Sequence, residues 1–472
     1  MSDTPKQTVV IGAGPAGLAA AYHLSEYNAP VTVLEMDNIV GGIARTVEHK
    51  GFRFDLGGHR FFTKMKRIDE LWTEVLGDDL LLRPRSSSIF YRGKFMDYPL
   101  RASNVFKTLG VSETLAAVGS YLWNRIFPVP EESFEGWVTN RFGRRLYQHF
   151  FKTYTEKAWG MPCTELSADW AAQRIKSLSL WGAMMDALSL KSKTQHTTLI
   201  QEFRYPALGP GMMWQRFREL IEERGGRVLL DRRVVSIRRQ PEGTFTITTE
   251  SAEGEAEFQA DAVISSMPLG ELVRMFEPVA ETGAIEAAGK LRYRAFMCAN
   301  LIVRQEDPFS GQWIYVHDPQ VRVARVQNFK NWSPQMVPDP ACACIGAEYF
   351  VWQEDELWHQ PDAEVIELAT SELAQIGIID PARVVDGIVV RSSHAYPVYD
   401  AGYQDHVRCM REWLQRIENL WVIGRNGQHR YNNMDHSMMT GLLSAENVLG
   451  ADHDVWDINV EQDYLEDRQA RE

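Results

Sequence analysis

The stretch Thr8-Val9-Val10-Ile11-Gly12-Ala13-Gly14-Pro15-Ala16-Gly17 constrains this chain more than any other. A short apolar strand runs into three glycines and opens an alanine-rich helix. A second strand, Val31-Thr32-Val33-Leu34, then ends on Glu35 and Met36. Such a unit commits the chain to a parallel α/β sheet that seats a dinucleotide at a helix start. Gly12 permits the tight turn, Gly14 lets a pyrophosphate approach the backbone, and Gly17 lets helix and strand pack closely. Pro15 and Ala16 open the helix, whose unpaired N–H groups and positive dipole end attract phosphate. Glu35 stands where a carboxylate accepts hydrogen bonds from the adenosine ribose, and Met36 beside it is assigned to the same ligand.

The segment that follows separates flavin from nicotinamide. Gly41-Gly42-Ile43-Ala44-Arg45-Thr46 leads into Phe54-Asp55-Leu56-Gly57-Gly58-His59. A nicotinamide dehydrogenase needs no second glycine pair here, whereas the long FAD molecule needs another loop to approach its pyrophosphate and isoalloxazine. Gly41, Gly42, Ala44, Arg45, Gly57, Gly58 and His59 are therefore assigned to FAD. Near the C-terminus, Leu420-Trp421-Val422-Ile423-Gly424-Arg425 reads as a buried strand ending in glycine that returns to the flavin. Both ends of the chain then build one site.

Composition removes several function classes. The net charge of -13 argues against nucleic acid, which asks for a basic face. Cys163, Cys298, Cys342, Cys344 and Cys409 are scattered and read as reduced thiols. His394 and His406 read as solvated members of a polar loop, and no metal cluster is expected. The nucleotide-binding strand begins almost at once, leaving no room for a signal peptide, and a cytoplasmic location is expected. The apolar stretch 115–130 carries Asn124 and Arg125 and is too short for a transmembrane segment; a core helix over 115–126 is predicted. The tail after Asp452 is read as solvated.

The predicted fold class is α/β: a split, glutathione-reductase-type FAD domain with a helical insertion and an antiparallel-sheet insertion over the flavin. The FAD domain is assigned to 1–63, 203–290 and 410–450, with Val234 on a strand beside the cofactor. Apolar spacing at Ile68, Leu71, Trp72, Val75 and Leu76 makes 64–202 mainly helical. Residues 291–409 read as sheet-rich, with strands at 299–303 and 312–316, and 451–472 form a tail.

Five segments between residues 9 and 449 carry a family resemblance. They are the glycine pair with the His59 loop; Ala158-Trp159-Gly160-Met161-Pro162 with Trp170-Ala171-Ala172-Gln173-Arg174; Trp313-Ile314-Tyr315 with Arg325 to Pro334; His394-Ala395-Tyr396-Pro397; and Gly424-Arg425-Asn426-Gly427 to Tyr431 with Asn433-Met434-Asp435-His436-Ser437. The chain resembles UDP-galactopyranose mutases of the longer, eukaryotic type. The resemblance implies a flavin-dependent isomerase that interconverts pyranose and furanose forms of a nucleotide-diphosphate sugar. It implies attack of reduced flavin N5 on the anomeric carbon, with NADH or NADPH as candidate reductant. It makes His59, Arg174 and Arg325 the catalytic residues, the two arginines clamping the departing diphosphate. Tyr98, Arg101, Trp170, Tyr315, Trp332, Tyr396 and Tyr431 join them around the substrate, and Asn433, Met434 and Ser437 join the flavin loop.

The match departs at four positions. Leu100 and Arg101 follow Tyr98-Pro99 where an aromatic and a glutamine are expected, Trp332 replaces a tyrosine, and Met434 replaces a glutamine. These changes bear on which base and sugar the pocket takes. Oxidases and desaturases of the protoporphyrinogen-oxidase or amine-oxidase type form the alternative class, because they share the split FAD domain. The expected partner is a nucleotide-sugar substrate; oligomeric state, a homo-oligomer included, is left open.

Overall fold

The computed structural model describes residues 6–98, 102–168 and 202–458. Arg101, Trp170 and Arg174 fall outside the described residues. The chain's first commitment is a parallel five-stranded sheet in the order Leu420–Val422, Ala262–Ser265, Thr8–Ile11, Val31–Leu34, Arg227–Leu229. Its strands come from the start, middle and end of the chain. Its three central strands, Ala262–Ser265, Thr8–Ile11 and Val31–Leu34, are buried along their whole length and mostly apolar because both faces of the sheet are covered. Helix Pro15–Glu26 lies so close to helix Met434–Val448 that a Cβ on Gly441 would meet Ala16 O at 2.1 Å. Alanines 19, 20 and 21 make that approach possible, and Trp72, Trp214 and Phe217 fill the space beyond. A smaller antiparallel sheet, Arg233–Arg239, Phe245–Ser251 and Gly254–Ala260, carries Val234.

The second large sheet has seven strands, in the order Val384–Pro397, Tyr293–Val303, Ala343–Val351, Arg325–Asn328, Trp313–Val316, Ser87–Tyr91, Lys94–Tyr98. One face packs Met297, Leu301, Ile345, Ala347 and Tyr349 on helix Asp362–Gln375 through Val365, Ala369 and Leu373. The other face is different in kind. Strand register places Cys298 opposite Glu348, Glu348 opposite Arg325, and Arg325 opposite Tyr315. Directly paired residues share a face, so these side chains form one row across four strands.

Several expectations are corrected. The 64–202 region, expected to be mainly helical, also contributes a hairpin, Ser87–Tyr91 and Lys94–Tyr98, that extends the seven-stranded sheet by parallel pairing of Ser87 with Trp313. Helix Ala102–Ile126 is kinked at Gly110, and Leu115, Leu122, Trp123 and Ile126 on its outer face are exposed, so it is not a core helix. Its overall apolar content drew that reading, but apolar content does not say what a helix face meets. His394 lies on strand Val384–Pro397, paired with Glu271 at 3.0 Å, and His406 lies on helix Tyr403–Leu414; neither is in a loop. Val455 and Trp456 are buried, the latter under Arg411, so the chain past Asp452 is partly anchored. Among the described residues, no helix is long and apolar enough to cross a membrane, and no group of three or more metal-ligating side chains occurs.

Candidate active site

Three segments far apart in sequence converge at the start of helix Pro15–Glu26. Gly12 has φ +97°, and a Cβ there would come within 2.3 Å of Ser266 Oγ. A Cβ on Gly17 would lie 1.9 Å from Gly12 O, so turn and helix touch through backbone. Gly41 donates its N–H to Ala13 O at 2.8 Å, which lays the second glycine loop on the first. A Cβ on Gly42 would then stand 3.3 Å from Gly14 Cα. Gly424, at φ +76°, closes the third side, 3.0 Å from Ala16 Cβ by the same measure. Gly14 caps the helix without a side-chain bond, leaving N–H groups for an anion. A pyrophosphate needs such a side-chain-free cradle. Gly12, Gly14, Gly17, Gly41, Gly42 and Gly424 fit FAD on this ground, with Pro15 and Ala16 opening the helix behind them.

Glu35 ends its strand under the cradle. It accepts from Ala13 N–H at 2.6 Å and Asp37 N–H at 3.0 Å, so its remaining lone pairs are those available to a ribose. Burial raises its pKa against the pull of these two bonds. Met36 is exposed beside it, and Arg45 is held by Asp37. On the C-terminal loop, Asn433 caps helix Met434–Val448 and Ser437 Oγ donates to Asn432 Oδ1 at 2.8 Å. Met434 packs on the nucleotide-sheet core. Buried Asn432 Nδ2 and Asn426 Oδ1 have no hydrogen-bond partner among the described residues, which suits a polar ligand at this loop.

The Gly57-Gly58-His59 loop brings this cradle to the seven-stranded sheet. A Cβ on Gly57 would lie 3.4 Å from Arg325 Nη2 and 3.5 Å from Glu348 Oε1. Arg325 Nε donates to Glu348 Oε2 at 2.5 Å, and Gln327 Nε2 donates to Glu348 Oε1 at 2.8 Å. Glu348 is 0% exposed and Arg325 keeps 18% of its side-chain surface. Burial holds the Glu348 carboxyl above the usual range, while Arg325 and Gln327 pull it down. The pair therefore presents its guanidinium, not its carboxylate, to the cleft.

Aromatic hydroxyls gather on the same side. Tyr154 meets Tyr315 edge-on at 5.5 Å, and Tyr98 lies 5.3 Å from Tyr315. Tyr396 and Tyr431 stack nearly parallel at 5.8 Å, with Arg425 4.5 Å from the Tyr431 ring. Arg425 also donates to Asn432 O and Ala395 O, joining the flavin loop to the Tyr396 strand. Arg85 lies over Tyr98 and Trp313 at 5.3 and 5.5 Å, with its Nε and Nη1 buried and without a hydrogen-bond partner among the described residues. His59 Nδ1 contacts Gly57 O at 3.2 Å. Burial, with Arg425 and Arg325 nearby, pushes its pKa down to about 3, so the ring is neutral.

Of the sequence-predicted substrate residues, Arg325, Tyr98, Tyr315, Tyr396 and Tyr431 come together. Trp332 sits differently: it is 1% exposed, stacks on Trp313 at 5.4 Å, and donates Nε1–H to Gln312 O. It supports Gly58 from below, where a Cβ would lie 3.1 Å from its ring. Sequence reasoning missed Glu348, Gln327 and Tyr154. A signal existed for Glu348, the lone charge in the otherwise apolar strand Ala343–Val351.

Comparisons agree with this architecture. Residues 15–449 match the family described as flavin containing amine oxidoreductase. A solved structure of reduced UDP-galactopyranose mutase superposes with a TM-score of 0.83 at 23% identity, covering 96% of this chain and 98% of that one. A putative protoporphyrinogen oxidase from Exiguobacterium sp. 255-15 superposes at 0.69 with 19% identity, covering 95% and 98%. In sequence, chloroplastic protoporphyrinogen oxidase of Nicotiana tabacum is 22% identical over 291 residues, 58% of this chain. The chain spans about half the length of such curated relatives, 53% in that case. These likenesses establish the mixed α/β flavoprotein fold.

Proposed function

The chain belongs to the flavin containing amine oxidoreductases, and from that premise we propose that it is an FAD-dependent mutase exchanging the pyranose and furanose forms of a nucleotide-diphosphate sugar. The observation that carries the reading is the guanidinium of Arg325, oriented by buried Glu348 and ringed by tyrosines beside the Gly57–His59 loop. Reduced FAD, when bound, supplies an electron-rich nitrogen as nucleophile toward an anomeric carbon. The protein's tasks are then to hold a leaving diphosphate and return it. Glu348 occupies Nε of Arg325, so the other N–H groups are turned to phosphate oxygens. Arg174, which lies outside the described residues, is assigned the second arm of the clamp. Tyr154, Tyr315, Tyr396 and Tyr431 donate to phosphate and sugar oxygens. Burial raises the pKa of Tyr154 and Tyr396, so these two keep their protons. His59 gives Nδ1–H to Gly57 O and keeps Nε2 as an acceptor at the cofactor's edge.

The oxidase reading is favoured by the curated sequence relatives, which are oxidases, and by the parallel Tyr396–Tyr431 pair, which suits a cationic amine. Arg425 already lies over those rings, so the cation position is filled from within. A panel of UDP- and other nucleotide-hexoses given to reduced and oxidised enzyme decides between them. Ring-contracted product from reduced enzyme alone supports the mutase. Stoichiometric peroxide from an amine or porphyrinogen would replace it with the oxidase. Arg174→Ala and Arg325→Ala are each expected to lose turnover yet stay yellow and FAD-loaded.

A further inference from the structure

The turn at 317–324 joins strands Trp313–Val316 and Arg325–Asn328, and so fixes Tyr315 against Arg325. Two charged side chains from outside hold it. Glu372, on helix Asp362–Gln375, accepts from Arg322 N–H at 2.5 Å, Val323 N–H at 2.8 Å and the Tyr349 hydroxyl at 3.1 Å. Lys157, on helix Thr153–Trp159, gives Nζ to three carbonyls of the same turn: Val316 at 3.3 Å, Asp318 at 2.5 Å and Val323 at 3.2 Å. Val323 stands two residues before Arg325. Tyr154 stands three residues before Lys157, on the same helical face. Its ring stacks on His317 at 4.9 Å and meets Tyr315 at 5.5 Å. The end of that helix is also fixed. Buried Arg294 donates to Ala158 O at 3.2 Å and Phe350 O at 2.6 Å, and Trp352 Nε1–H reaches Gly160 O at 3.1 Å.

We propose that Lys157 is a positioning residue for the diphosphate seat, locking the helix that carries Tyr154 to the turn that delivers Arg325. This rests on the mutase reading above. Glu372 secures the turn's amides from the far side of the sheet, whereas Lys157 reaches its carbonyls from the helical layer. Without the lysine N–H groups, three carbonyls lose a shared donor and the turn relaxes. The spacing between the Tyr154 hydroxyl and the Arg325 guanidinium is then no longer set. Packing of the lysine stem survives in Lys157→Met, so the fold and the glycine cradle, on another sheet, are retained.

The test uses full-length, FAD-loaded protein, with UDP as the probe of the seat. Lys157→Met is expected to keep FAD stoichiometry and a thermal midpoint within a few degrees of the parent. UDP affinity should fall at least tenfold, and with the nucleotide-sugar substrate KM should rise more than kcat falls. Lys157→Arg should recover part of the UDP affinity, because a guanidinium also reaches carbonyls. Parental UDP affinity and KM in Lys157→Met would overturn the proposal, as would a loss of kcat alone. Should that variant not fold, Lys157→Gln serves, and parental UDP affinity there is equally fatal. If the parent binds neither UDP nor the nucleoside diphosphate of any other nucleotide-hexose in the panel, the mutase reading falls and this inference with it; binding by the parent with no loss in the variants sinks only the role of Lys157.

Discussion

Replacing Arg325 by methionine should do more than remove a substrate contact. It leaves Glu348, which is 0% exposed, with Gln327 Nε2 as its remaining side-chain donor. Breaking a buried ion pair from one side typically costs about 3–5 kcal/mol, because the surviving charge is uncompensated. Replacing both members with neutral groups costs far less, so Glu348→Gln added to Arg325→Met should return about 2–3 kcal/mol, a coupling well above additivity error. The pH dependence follows with a definite sign. Burial already raises the Glu348 pKa above its unfolded value, and loss of Arg325 raises it further. Between the unfolded and folded pKa values the native state binds a proton that the unfolded chain does not. Stability of the single variant therefore falls as pH rises through that window. Denaturant unfolding of parent, two single variants and the double variant at pH 5 and pH 8 measures all terms. A cost below about 1 kcal/mol for Arg325→Met at pH 8, or strict additivity, would refute the claim that Glu348 is a charge held in place by Arg325.

Other consequences can be checked alongside. Burial lowers His59 and His317 to about 3 and His429 to about 4, so each stays neutral in the fold while the unfolded chain protonates near 6.5. Stability is thus present above pH 6.5 and lost as pH falls toward 4; His317→Phe should flatten that slope by about 1.4 kcal/mol per pH unit in denaturant titrations, and an unchanged slope contradicts the assignment. Asp55 is pushed up to about 7 by burial against bonds from Tyr205 and Thr46. Its proton is held in the fold but not in the unfolded chain between about 4 and 7, so stability declines with pH across that range, and Asp55→Asn should remove the decline. Gly42→Val places a side chain 3.3 Å from Gly14 Cα at φ +53°, and released-flavin fluorescence should show at least tenfold weaker FAD retention by folded protein.

The nucleotide-binding half was readable because its chemistry is local. Gly12, Gly14, Gly17 and Glu35 lie within one strand–turn–helix–strand unit, and each answers to a steric or dipolar requirement that sequence spacing reveals. The seat around Arg325 is assembled by register instead. Nothing within the residues around 325 announces that Glu348 will stand directly opposite, since pairing is decided by how strands Arg325–Asn328 and Ala343–Val351 align. The same limit hid the hairpin at 87–98, whose place in the seven-stranded sheet depends on parallel pairing with residues some two hundred positions away. It also misled the reading of Trp332, an aromatic in a suggestive segment that the fold spends as a support under Gly58. A lone carboxylate in an apolar strand is a different kind of signal. Its burial is tolerable only beside a cation or a dense set of donors, so Glu348 by itself called for one or the other across the sheet without saying which residue would supply it. That demand ties the charge facing the cleft to the stability of the seven-stranded sheet: Arg325 cannot be lost without consequence for Glu348.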